Sequence, residues 1–179
     1  MITIKNLKSM LDVLGFIKSG NTYVKRFPQY DCELSVDFNR KKLIYPAGIR
    51  GRERNDSFDA PENFVVFECV NRLLEKGYRP EHIELEKKWH LGHDAKSGRA
   101  DICVSSFDGN MLFIVECKTA GREFEKAYKD TCADGGSCFL IGSRKDRQSG
   151  SCCMRLISTV TKSPTKHRSL TVRMTPTLL

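Results

Sequence analysis

The stretch Arg99-Ala100-Asp101-Ile102-Cys103-Val104-Ser105-Ser106-Phe107-Asp108-Gly109-Asn110-Met111-Leu112-Phe113-Ile114-Val115-Glu116-Cys117-Lys118 decides how this chain folds. Two apolar runs flank Asp108-Gly109, a dipeptide suited to the left-handed conformations of a tight hairpin turn. If Asp108 and Gly109 form a two-residue loop, Phe107 pairs with Asn110. Counting back along both strands then sets Asp101 opposite Glu116. Opposed residues in an antiparallel pair hold their Cβ atoms roughly 4.5–5.5 Å apart. Lys118 lies two residues beyond Glu116 and so shares its face. Two carboxylates and an ammonium thus meet in strands otherwise made of Ile102, Val104, Phe113, Ile114 and Val115.

Carboxylates this close in an apolar sheet repel, so one takes a proton or a cation bridges them. Oxygen donors suit a hard ion such as Mg²⁺, with Mn²⁺ as the substitute, and such ions keep waters and accept phosphate oxygens. The ion would polarise a phosphodiester, acidify bound water and stabilise the leaving oxyanion. Lys118 beside it would position the attacking water, with its pKa lowered by the cation and by burial. The same three residues equally suit a structural ion cluster at a sheet end. Spacing alone does not choose.

Working outward from the hairpin, Pro61–Leu74 carries the clearest helical pattern. Asp59 or Ser57 is the expected cap, Pro61 suits the first turn, and Gly77 ends the element. Ile83–Trp89 reads as a strand, and a glycine-bounded loop from Gly92 to Gly98 leads into the hairpin. Upstream, Leu7, Met10, Leu11 and Leu14 share a helical face that stops at Gly15. Short runs at Thr22–Phe27, Cys32–Phe38 and Lys42–Tyr45 follow, a small antiparallel meander. Glu123–Ala133 reads as a further helix.

The chain has 179 residues, 40% of them hydrophobic, enough for one core. No apolar run is long enough for a membrane span, and no basic-then-apolar leader opens the sequence. A cytoplasmic protein with its eight cysteines reduced is expected. Of the net charge of +8, nearly all sits in residues 137–179, which hold eight Lys or Arg and one acid, Asp146. That segment is rich in Ser and Thr, has one aromatic, Phe139, and lacks a sustained apolar period. It reads as an atypical basic tail, disordered or out of frame, that packs poorly on what precedes it. The expected division is therefore a helix and meander over 1–55, a catalytic core over 56–136 and the tail over 137–179.

Asp101 with Ile114-Val115-Glu116-Cys117-Lys118 resembles the PD-(D/E)XK motif of restriction-endonuclease-like nucleases, although Arg99-Ala100 stands where a proline is usual. Pro61-Glu62-Asn63-Phe64-Val65-Val66-Phe67-Glu68-Cys69-Val70-Asn71-Arg72-Leu73-Leu74-Glu75-Lys76-Gly77-Tyr78 resembles the N-terminal nuclease domain of type I restriction R subunits. Similar domains are fused to N6-adenine methyltransferases in single-chain restriction enzymes. Gly98-Arg99-Ala100-Asp101-Ile102, Glu116-Cys117-Lys118-Thr119, and Val36-Asp37-Phe38 with Ile44-Tyr45-Pro46 extend the likeness over roughly residues 5–136.

The resemblance implies an α/β (α+β) fold with a mixed central sheet flanked by helices, and Mg²⁺-dependent DNA cleavage. It implies that Asp101, Glu116 and the Cys117 carbonyl hold the metal and that Lys118 completes the catalytic set. Glu62 is the acid that the preceding helix would add, with Glu68 as the alternative. Lys96 and Arg99 are candidate DNA-phosphate contacts. The expected partners are DNA and the helicase or translocase, methyltransferase or specificity domains or subunits of a restriction system. No phosphate-binding Gly-Lys-Ser/Thr loop and no Asn/Asp-Pro-Pro-aromatic motif occurs in the chain, so neither motor nor methylase is expected within it.

In that family the segment after Gly136 usually supplies a glutamine-bearing helix and then a buried strand. Here the codons for Gly150-Ser151-Cys152-Cys153-Met154-Arg155 can be reread in a shifted frame as the apolar string W-L-V-L-Y-A. A frameshift would account for the cysteines and the charge. Two functions follow from the whole reading: an endonuclease domain, or a catalytically inactive remnant that at most binds DNA non-specifically.

Overall fold

The computed structural model describes residues 4–90, 97–119, 138–142 and 152–157. The fold is α+β. Helix α1 (Leu7–Val13) precedes strands β1 (Ile17–Ser19), β2 (Thr22–Phe27), β3 (Cys32–Asp37) and β4 (Lys42–Ile44). Helix α2 (Pro61–Glu75) follows, then β5 (Ile83–His90), β6 (Ser97–Ser105) and β7 (Met111–Thr119), with β8 (Cys138–Gly142) and β9 (Cys152–Ile157) beyond. The first four strands form a meander in chain order, and the rest form a second sheet ordered β5-β6-β7-β9-β8. Every strand pair is antiparallel. The parallel contact is a single bridge between Arg50 and Glu84 at the β5 edge. The mixed character expected of this sheet is confined to that bridge among the described residues. Glu123–Ala133 lies outside them.

Helix α1 ends where Gly15 turns to φ 78°, and Ile17–Ser19 already pairs with β2. Helix α2 starts differently from the sequence expectation. Its N-cap is Ala60, held extended as a residue before proline must be, and no side chain caps it. Ser57 instead accepts from the Asp59 amide and, through its carbonyl, from Asn63 Nδ2.

Helix α2 is buried on nearly every side, from Asn63 through Asn71 and again at Leu73 and Leu74. A helix apolar all round needs partners on two sides. The meander supplies one: Phe16 and Tyr45 pack on Phe67, and Phe58 packs edge-on against Phe64. The β5-β6-β7 layer supplies the other through Ile102, Val104, Phe113 and Val115. One cluster of buried side chains runs from Leu7 to Cys117, so residues 1–55 and the segment after them share a core. Cys69, Cys103 and Cys117 are buried free thiols, and Cys32 is a half-buried one.

The hairpin reaches the expected register by an unexpected route. Its loop has three residues, Phe107, Asp108 and Gly109. The Ser106 amide donates to the Asn110 carbonyl, and the Gly109 amide donates to the Ser106 carbonyl. Gly109 sits at φ 77°. That longer loop displaces the pairing to Ser105↔Met111, and a bulge at Leu112 then restores Val104↔Phe113, Cys103↔Ile114 and Ile102↔Val115. The two deviations cancel. The ladder ends at Ile102↔Val115, one position short of the expected Asp101–Glu116 pair, and leaves Asp101 beside Glu116 and Cys117.

Two pieces of the basic tail join the sheet, which corrects the expectation that it packs poorly. β9 pairs with β7 from Ile114↔Ile157 to Thr119↔Cys152, and β8 pairs with β9. The physical reason is that the β7 edge presents a row of amides and carbonyls, and an extended backbone of any composition satisfies them. The remainder of 137–179 lies outside the described residues.

Candidate metal and phosphate site

β6 and β7 part company just past Ile102↔Val115. There the Asp101 carboxylate takes over the role of a ladder partner: its Oδ2 accepts from the Cys117 amide at 2.6 Å. Asp101 is buried, 7% exposed. Glu116 and Lys118 project from β7 on the same face, and Lys118 Nζ donates to Glu116 Oε1 at 2.7 Å. The same ammonium reaches Glu62 Oε1 at 3.4 Å from the first turn of α2. Sequence reasoning named all four of these residues, and the fold brings them together.

The electrostatics are lopsided, with three carboxylates around one ammonium. Burial first, and then the charge of Glu116, push the Asp101 carboxyl up from 3.8 to about 6, against the lowering effect of the Cys117 amide and Lys118. Lys118 is shifted up as well. Its burial favours the neutral amine, but the hydrogen bond and charge of Glu116, aided by Asp101 and Glu62, outweigh it and hold the ammonium well above its ordinary value. Its carboxylate neighbours thus hold Lys118 as a cation, and the lowering expected of it belongs to a cation bound beside it.

Asp101 and Glu62 open onto a cleft of about 470 Å³, whose wall also holds Asn55, Asn63, Glu86, Lys88 and Arg99. Arg99 lies on this wall as a phosphate contact would, and Lys96 lies outside the described residues. Glu68, the alternative acid, is buried elsewhere along α2 and is bound by Arg72 at 2.5 Å. The side chain of Cys117 is buried in the core, leaving its backbone to the site. Glu86, Lys88 and Asn55 were not singled out from sequence. No sequence pattern marks them: the left-handed Glu86 breaks the alternation of β5, so that Glu84 pairs with Lys87 while Glu86 and Lys88 line the cleft.

Among the described residues, no three His, Cys, Asp or Glu side chains converge as a ready-made metal cage. A pair of carboxylates is nonetheless the donor set a Mg²⁺ ion commonly takes, the rest of its shell being water, backbone oxygen or substrate phosphate. Asp101 and Glu116, with the Cys117 backbone between them, fit that description.

Fold and site together define an α+β protein with a paired-carboxylate and lysine centre at the end of a β-hairpin. Residues 61–134, from the start of α2 onward, match the family of the type I restriction enzyme R protein N terminus. This agrees with the resemblance read from Pro61–Tyr78, Gly98–Ile102 and Glu116–Thr119. No curated protein and no solved structure matches the chain. No helix among the described residues is long and apolar enough to cross a membrane.

Proposed function

We propose that the chain is the metal-dependent endodeoxyribonuclease domain of a restriction system, acting in the cytoplasm alongside translocase, methyltransferase or specificity components that choose the DNA site. The observation that carries this reading is the clustering of Asp101, Glu116 and Glu62 around Lys118, with Asp101 and Glu62 opening onto the cleft. A lone structural ion pair needs one carboxylate, and this lysine has two within 3.4 Å and a third, Asp101, beside it.

Asp101, Glu116 and the Cys117 carbonyl would hold Mg²⁺ or Mn²⁺. Bound there, the ion would acidify a water and screen charge on the phosphate. The chain's own groups do the rest. Asp101 is fixed by the Cys117 amide, so it needs no reorganisation to act as a ligand. Lys118 is held charged between Glu116 and Glu62, where it can orient a water and stabilise negative charge developing on the phosphate. Glu62, on the first turn of α2, keeps the ammonium from collapsing wholly onto Glu116.

The test is cleavage of duplex DNA in Mg²⁺. Lys118→Ala should remove cleavage, while circular dichroism and most DNA affinity persist, because one lysine is a small part of a multi-phosphate interface. Undiminished cleavage by Lys118→Ala would overturn the assignment. Loss of its role would leave the non-catalytic DNA-binding reading in place.

A further inference from the structure

Glu86 is the odd residue of β5. The ladder passes from Leu85↔Ile102 to Lys87↔Ala100 and skips it. Its own backbone is left-handed, at φ 54°, a conformation in which a side chain's Cβ crowds the carbonyl. Its carboxylate is buried, 8% exposed, and receives two partners: Asn55 Nδ2 at 3.3 Å and Arg99 Nε at 2.5 Å. Strained residues kept inside otherwise regular strands gather at functional sites.

The neighbourhood is built to hold that carboxylate still. The loop after Arg50 is stitched to β5, with Leu85 N donating to Arg50 O at 2.8 Å and Arg50 N to Ile83 O. Tyr45 Oη donates to the Asn55 carbonyl, and Asn55 is itself buried. What the network steadies is Arg99, whose side chain is 58% exposed on the cleft wall. Glu86 Oε2 lies 2.5 Å from Arg99 Nε, an ion pair that holds the guanidinium beside β5. Lys88 is paired directly with Arg99 across β5 and β6, exposed, and lines the same cleft. Two cations on one face therefore stand beside a cluster of carboxylates that cannot by itself attract a polyanion.

We propose that Arg99 and Lys88 form a clamp for a DNA phosphate flanking the one held at the carboxylates, and that Glu86, backed by Asn55, is the positioning residue that aims Arg99. The clamp rests on the nuclease reading for its substrate. It deepens that reading by naming the side chains that hold the strand, none of which touches the reacting atoms. A guanidinium is a planar fork that matches two phosphate oxygens, and an ion pair that restrains it lowers the ordering cost of that recognition.

The experiment measures duplex DNA binding by fluorescence anisotropy over a salt series in Ca²⁺, which supports binding without requiring cleavage. Removing a cation that neutralises one phosphate should make the slope of log affinity against log salt shallower by about 0.9. Arg99→Ala combined with Lys88→Ala should make it shallower by about 1.8. Glu86→Gln is the discriminating variant. It removes one negative charge, so plain electrostatics predicts tighter binding and an unchanged or steeper slope. Positioning predicts weaker binding and a slope shallower by about 0.9, with recovery in Glu86→Asp. Thermal unfolding of each variant separates a folding defect from this effect. An unchanged slope in the double variant, or tighter binding by Glu86→Gln, overturns the clamp. Mg²⁺ cleavage by the wild type is scored separately: a chain that shows the predicted slopes but does not cut keeps the clamp and loses the nuclease. Normal cutting with unaltered slopes does the reverse, and a wild type that binds no DNA overturns both.

Discussion

Replacing Asp101 by Asn should stabilise the metal-free protein at neutral and higher pH. The Asp101 carboxyl is raised from 3.8 to about 6 by burial and by Glu116. A carboxyl whose folded pKa exceeds its unfolded value contributes its full stability below about pH 4, and that contribution is lost as pH rises through about 6. At about 1.4 kcal/mol per pKa unit, the ionised side chain costs the fold up to about 3 kcal/mol at pH 8. Asn keeps the carbonyl oxygen that accepts from the Cys117 amide and removes the charge. Urea unfolding in EDTA at pH 8 should therefore show Asp101→Asn more stable by about 1–3 kcal/mol, with the gain vanishing near pH 4. Adding Mg²⁺ should narrow the difference at pH 8, because the ion stabilises only a fold that retains the carboxylate. An Asn variant less stable than wild type at pH 8, or equally favoured at pH 4 and pH 8, would refute the claim that an uncompensated charge sits at this position.

Three further outcomes follow from the architecture. Phe67→Ala removes the ring on which Phe16 and Tyr45 both pack and should cost about 3–5 kcal/mol in chemical denaturation; a loss below about 1 kcal/mol would mean that the meander does not share the core. Gly51→Ala should cost more than about 1 kcal/mol, since residue 51 lies at φ 71° and an added Cβ would fall 2.1 Å from the Leu85 carbonyl oxygen. A near-neutral melting temperature would show that the loop is not seated on β5. Ending the chain at Gly136 strips β9 from β7 and should produce concentration-dependent self-association through the uncovered edge, read by sedimentation; a truncated chain that stays monomeric would show that β9 does not cover that edge.

Much of the site was legible because hairpin pairing is arithmetic once a turn is located, and Asp108-Gly109 locates it. Even so, the arithmetic held only because a third loop residue and the Leu112 bulge offset each other. Helix α2 was legible from Phe64, Phe67, Val70 and Leu74, but a broad apolar face does not say that two layers cover it. The choice of Glu62 over Glu68 followed motif position; in the fold Glu62 meets Lys118 while Glu68 meets Arg72. Glu86 was hidden because a left-handed residue inside an alternating strand leaves no trace in composition. Asn55 was hidden because its role depends on a loop seated by Tyr45 and Arg50. The tail strands were hidden because Cys152-Cys153-Met154-Arg155 lacks alternation. The shifted-frame reading placed a strand at 150–155, and β9 occupies nearly that place with the encoded residues.

The bulge at Leu112 has a consequence for how this hairpin can vary. Met111 and Leu112 are consecutive apolar residues and both are exposed, because the extra residue turns the two of them outward together. Pairing from Val104↔Phe113 inward does not depend on either. The tip from Ser105 to Leu112 is thus a detachable cassette, able to gain or lose a residue while Asp101 stays across from Glu116. Excising Leu112 would straighten the ladder without moving the site, and the carboxylate pair is insulated from the loop that creates it.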